Sequence, residues 1–153
     1  MSVDQGLLLA CGGFLLAVLW MDLIFDAQVR AVRGDELPEP VLASIADYYR
    51  RATTTSQPMG RLIAAVMVVL LGALVFRGFG GHDPVLLVIT SAMLAAAPIL
   101  LALVRTVPNA VRLGTRPVAD QSRLARSIYR DHVLCFACIF AFLVLRLVQV
   151  GVA

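Results

Sequence analysis

An aspartate and a histidine carry most of the acid–base potential of this chain. Asp22 falls inside an apolar run and is followed by Asp26 and Arg30, at i+4 and i+8 on one helix face. An acid at the end of an apolar segment is costly unless it is paired or wet. Two readings are open for Asp22: an ion pair with Arg61 or Arg105, or one wall of a polar site at the mouth of a bundle. His132 opens the last apolar run, with Asp131 adjacent and Tyr129 three residues earlier. It reads either as an interfacial anchor or as a group that moves protons near neutral pH. The other histidine, His82, belongs to the opposite end, so one protomer does not offer both to a single haem. Cys135 and Cys138 form a C-x-x-C, a spacing used by redox pairs and by half of a zinc site. Here it lies within an apolar helix, and Cys11 is the only other cysteine. The pair therefore reads as small packing side chains. No phosphate-binding loop, nucleophile elbow, H-E-x-x-H or dinucleotide fingerprint occurs, and no metal site or cofactor is evident.

These residues have to be positioned by apolar elements. Of 153 residues, 60% are hydrophobic and 15% charged, with a mean hydropathy of +0.88. A typical soluble domain has roughly 45–50% apolar and 25% charged residues. The composition argues against a soluble enzyme, a disordered protein and a disulfide-knit secreted domain. Four apolar runs, residues 6–25, 59–76, 84–107 and 132–150, have the length of spans. About 20 residues cross a hydrocarbon core, and the backbone there must be helical. The segment before the first run has no positive charge, so it is expected to remain as a span and not to act as a cleaved signal.

The formal charge of +3 is too small to suggest a nucleic-acid partner. All thirteen positive side chains are arginines, and eleven fall in the connections after spans one and three. The positive-inside rule makes those connections cytoplasmic and puts both termini outside, in a plasma (inner) membrane. Seven acids, Asp26 among them, share that face and make it a mixed-charge layer.

Val41, Leu42, Ile45, Tyr48, Tyr49 and Ala52 recur at helical spacing and predict a short amphipathic helix over 40–52. It lies at the interface or tucks under the bundle. Gly114 and Pro117 mark a turn, after which Leu124, Ile128 and Tyr129 lead helically into span four. Gly13 with Ala17, and Ser91 with Ala95, offer small faces for close helix contacts. Pro98 should kink span three and free a carbonyl, either as a packing kink or beside a widened pocket.

Residues Arg105-Thr-Val-Pro108-Asn109-Ala-Val-Arg112, the stretch Arg126-Ser-Ile-Tyr129-Arg130-Asp131-His132, and Pro58 before span two carry a resemblance. The chain resembles the anthrone-oxygenase-like family of small four-span membrane proteins. Gln57 and Asp131 stand where that family often has Asn. The resemblance implies oxidation of a lipophilic aromatic or quinone-type compound at the cytoplasmic helix ends, without an obvious cofactor. His132 would then be the base, Asp22 would belong to the same catalytic group, and Asn109 with Arg105 or Arg112 would stabilise an enolate. Arg105, Arg112 and Tyr129 would hold the substrate.

The expected fold is all-α: a single-domain, integral membrane, antiparallel four-helix bundle with a short amphipathic helix between spans one and two. Two functional classes fit it. One is an oxidoreductase acting on a lipophilic small molecule. The other is non-catalytic: an accessory or structural subunit that packs on a membrane-protein partner or a second copy, or a protein that binds lipid or quinone through Tyr48, Tyr49 and the arginines. Membrane lipids are partners in either case.

Overall fold

The computed structural model describes residues 2–55, 57–81, 83–115 and 120–152. Helix α1 spans Val3–Asp26 and continues as a 3-10 turn, Ala27–Ala31. Helix α2 covers Glu39–Arg50 and runs into a π-helical turn, Arg51–Thr55. Helix α3 spans Gln57–Phe79. Helix α4, Val85–Leu101, passes through a second π-helical turn, Ala102–Thr106, into α5, Val107–Thr115. Helix α6 spans Gln121–Val152. Among the described residues there is no strand. Four stretches are long and apolar enough to cross a bilayer: Val3–Ala31, Pro58–Phe79, Val85–Thr115 and Gln121–Gly151.

Local chemistry sets these boundaries. The Ser2 N–H donates to Gln5 Oε1 at 3.2 Å and satisfies one donor at the start of α1. Pro40 stands in the first turn of α2, where its missing N–H costs nothing. Pro98 removes one hydrogen bond inside α4, and the ladder widens into the π turn a few residues later.

The expected all-α bundle is what forms. α1 packs against α3 and α6, and α4 packs against the same two helices. Leu8, Leu15, Leu70, Ile99, Ile139 and Phe142 fill the space between them. Val68, Phe76, Leu86, Met93 and Val148 point outward and are exposed, as lipid-facing side chains must be in a multi-pass membrane protein. Close approach of α1 to α6 occurs at Gly12, where a Cβ would lie 2.9 Å from the Leu143 side chain. Gly13 and Ala17, expected to make such a contact, face outward and are exposed. The face is displaced by one residue, about 100° of helix. Ser91 and Ala95 are buried as expected.

A second core lies at the arginine-rich end. Helix α2 folds under the bundle against α5 and the start of α6, burying Leu42, Ile45 and Tyr49 on Leu113, Leu124 and Ile128. Gly114 is not a turn residue. It belongs to α5, and a Cβ there would stand 2.6 Å from the Arg50 backbone nitrogen, so its bare Cα lets α2 and α5 touch. Pro117 and Arg116 lie outside the described residues. Arg126 anchors the 3-10 turn and loop by donating to the carbonyls of Val29, Val32 and Gly34.

The opposite end is closed by a buried ionic network that joins α1, α3 and α6. Asp83 accepts from Arg77 at 3.0 and 2.5 Å, from Arg146 at 2.6 Å and from Gln149 at 2.8 Å, while Arg77 also pairs with Asp4. The Arg77 guanidinium holds the Asp83 carboxyl well below the usual carboxylate range against the opposing effect of burial, with Arg146 and Gln149 adding to the shift. His82 lies outside the described residues.

Candidate functional site

The final turns of α1 set Asp22 and Asp26 one above the other, and both point at His132 of α6. His132 Nδ1 stands 2.6 Å from Asp26 Oδ2, and Nε2 stands 3.8 Å from Asp22 Oδ2. Helix α2 supplies the lid of the cluster. Tyr48 donates to Asp22 Oδ1 at 2.6 Å and Tyr49 donates to Asp26 Oδ1 at 2.7 Å. The Tyr48 ring is fixed by stacking on Phe25 at 4.1 Å between centroids. Asp26 is 0% exposed, and His132 is buried at 8%.

The hydrogen bonds constrain where the protons sit. A 2.6 Å contact to the Asp26 carboxyl suits Nδ1 as a donor, and Nε2 then stands toward Asp22 Oδ2 at 3.8 Å. Burial, reinforced by the Asp22 and Asp26 carboxylates, holds both phenols above the usual tyrosine range, so they remain O–H donors. A buried carboxylate that orients a histidine through one ring nitrogen is an arrangement that lets the other nitrogen serve as a general base.

His132 and Asp22 stand together on the wall of an apolar chamber. A cavity of about 140 Å³ is lined by Leu15, Leu19, Met67, Pro98, Ile139 and Cys135 together with Asp22 and His132. A larger one, about 450 Å³, shares the Asp22–His132 wall and continues past Tyr49, Thr53, Arg61, Ala64, Leu103 and Val111. Both π turns contribute to it, through Ala52 and Thr53 on one side and Ala102, Leu103 and Thr106 on the other. Pro98, buried in α4, is among the residues that line the smaller cavity. Cys135 and Cys138 are free thiols, and Cys135 Sγ donates to the Pro98 carbonyl at 3.6 Å. Among the described residues no group of three or more His, Cys, Asp or Glu side chains is arranged to hold a metal ion.

The residues nominated from sequence separate into three places. Asp22 and His132 meet. Asn109, Arg105 and Arg112 line a different pocket of about 580 Å³, together with Arg123, Arg126, Ser127 and Arg130. Tyr129 is half-buried against the core beneath α2. Asp22 pairs with neither Arg61 nor Arg105. Its partners are Tyr48 and His132, while Arg105 Nε reaches Asp131 at 3.2 Å. Asp26 is no part of a solvated charge layer; it is the most buried acid of the cluster. Its i+4 spacing from Asp22 was the available signal. Tyr48 and Tyr49 hold carboxylates and do not belong to the arginine pocket.

Fold and site together define a multi-pass membrane protein whose bundle encloses an apolar chamber with one polar, histidine-bearing wall. No protein-family model, curated protein or solved structure matches the chain.

Proposed function

We propose that this protein is a plasma (inner) membrane enzyme that deprotonates, and thereby opens to oxidation, a lipophilic aromatic or quinone-type compound bound in the chamber. The observation that carries the reading is the 2.6 Å contact of His132 Nδ1 with the fully buried Asp26, on a histidine that lines an otherwise mostly apolar cavity together with Asp22. Binding sites for small lipophilic molecules are concave, mostly apolar and fitted with a few convergent polar groups. His132 Nε2 takes the proton from an activated ring carbon, and Asp22, 3.8 Å away, is the onward acceptor. Arg61, on the wall of the larger cavity, is the cation that meets the developing enolate oxygen.

The anthrone-oxygenase-like resemblance supplies the remaining step. An anthrone-type CH2 gives up a proton, and the carbanion transfers its electron pair to dioxygen. One oxygen atom becomes the new ring carbonyl, and the other leaves as water with both hydrogens of the CH2. The clustering of arginines after spans one and three supports a cytoplasmic location for this end, with both termini outside.

The test separates base from fold. Purified protein in neutral detergent is given anthrone in deuterated buffer, and exchange at its CH2 is followed by NMR. His132→Gln, still folded by its cooperative thermal unfolding, is expected to reduce catalysed exchange to background. Full exchange in that variant rejects the enzymatic reading and favours a non-catalytic membrane subunit.

A further inference from the structure

The second pocket is built from two helix faces that confront each other. Arg105, Asn109 and Arg112 stand at i, i+4 and i+7 on α5 and the turn before it. Arg123, Arg126, Ser127 and Arg130 stand at i, i+3, i+4 and i+7 on α6. Each set is one face of a helix, so the five guanidinium groups converge on the same volume of about 580 Å³.

The charge there is not neutralised. Arg105 is paired with Asp131, and Arg123 with Asp120. Arg126 is held by backbone carbonyls, which leave its charge uncompensated. Asp35 is the only acid on the pocket wall. Setting these three aspartates against the five arginines leaves two positive charges. Arg112 and Arg130 have no hydrogen-bond or ion-pair partner among the described residues, and both are exposed. Every cation is an arginine, whose planar fork matches phosphate oxygens in pairs.

The depth of the pocket is informative too. Arg146 lies in the network that closes the opposite end, and Arg130 to Arg123 stand 16 to 23 residues before it on the same helix. At about 1.5 Å per residue that is roughly 24–35 Å, the far margin of a hydrocarbon core about 30 Å thick. Phosphate groups of lipids occupy that level.

We infer that the arginine pocket between α5 and α6 is a binding site for a phosphate-bearing anion, separate from the chamber at His132. Two sources offer this chemistry: the headgroup of an anionic phospholipid, and phosphate or a phosphorylated metabolite from the aqueous side. Basic pockets between helices at this depth hold anionic headgroups. Asn109 and Ser127 add neutral donors or acceptors to the walls.

The full chain in neutral detergent is titrated with short-chain phosphatidylglycerol, with phosphatidylcholine of the same chain length, and with inorganic phosphate, and its thermal unfolding is recorded. Phosphatidylglycerol is expected to raise the transition temperature where phosphatidylcholine does not. R112Q and R130Q should each weaken that response about fivefold, and the double variant should abolish it. The charge-matched double variant R33Q/R51Q should respond as the unmodified protein does. A rise with inorganic phosphate that is lost in R112Q/R130Q supports the same site with a soluble ligand. No response to either phosphate source overturns the inference. A response equal in the pocket and control double variants also overturns it. The single variants, each keeping one free arginine, report the effect if the double variant does not fold.

Discussion

Replacing Asp26 with asparagine isolates the orientation of His132 from its presence. The carboxylate accepts two short hydrogen bonds, from Tyr49 at 2.7 Å and from His132 Nδ1 at 2.6 Å, in a site with no exposure. Asparagine has the same shape. Its oxygen still accepts from Tyr49, but its amide NH2 now faces Nδ1. To avoid two opposed donors, His132 must move its proton to Nε2. One charge-assisted bond becomes a neutral one, which costs roughly 1–2 kcal/mol of stability. The consequence for proton transfer is far larger, because Nε2, the proposed base, is then a donor. Loss of general-base catalysis costs about 10²–10⁴-fold. The assay is deuterium exchange at the CH2 of anthrone, with thermal unfolding recorded on the same samples. Asp26→Asn should lose at least a hundredfold in exchange and only a few degrees in unfolding temperature. The double variant with His132→Gln should be no slower than His132→Gln alone, since the two act as one unit. Exchange in Asp26→Asn within a few fold of the unmodified protein would refute this account of the site.

Other expectations follow from the packing. Asn109→Ala should leave anthrone exchange unchanged, because Asn109 lines the arginine pocket and not the chamber. A hundredfold loss would restore it to the catalytic group. Gly114→Ala should destabilise by about 1–3 kcal/mol as the new Cβ pushes α2 away from α5, and it should slow exchange by loosening Tyr48 and Tyr49. Gly13→Ala, which meets nothing within 4 Å, should be neutral in both assays. The Asp83 carboxyl is held below its ordinary pKa of 3.8 in the folded protein. It therefore contributes stability at higher pH that is lost as pH falls below the carboxylate range. Asp83→Asn should be less stable at neutral pH and should flatten that acid dependence, measured as unfolding temperature from neutral pH down to about pH 2. An unchanged slope would show that other groups set it.

The apolar runs were legible because nothing but a helix satisfies a backbone in hydrocarbon, and α1, α3, α4 and α6 are the result. Asp22 and His132 were legible because each interrupts or borders such a run. Asp26 was not. One turn beyond Asp22 an acid can equally face water, and only the return of α2 buries it. That return depends on Gly114, where no sequence pattern separates a turn from a close contact. The separation of Asn109 from His132 is a matter of rotation. Thr106, Val107 and Ala110 face the chamber, whereas Asn109 shares the opposite face with Arg105 and Arg112, and about 100° per residue decides between them. Arg77, Asp83 and Arg146 come from three separate segments, and none carries a signal until α3 and α6 bring them together.

The larger cavity is walled between α3 and α5 partly by Leu103, Val107 and Val111, which also lie exposed on the outside of the bundle. Under the proposed function, a ligand entering between them would come sideways, from the acyl-chain layer. The bilayer would then act as the reservoir from which the chamber fills. Occupancy would follow the amount of ligand dissolved in the membrane, and a compound's oil–water partition coefficient would enter its apparent KM directly. Two ligands with identical contacts inside the chamber would differ in bulk-phase KM by the ratio of their partition coefficients. Diluting the protein with inert lipid at fixed total ligand would weaken apparent binding with no change in the site itself.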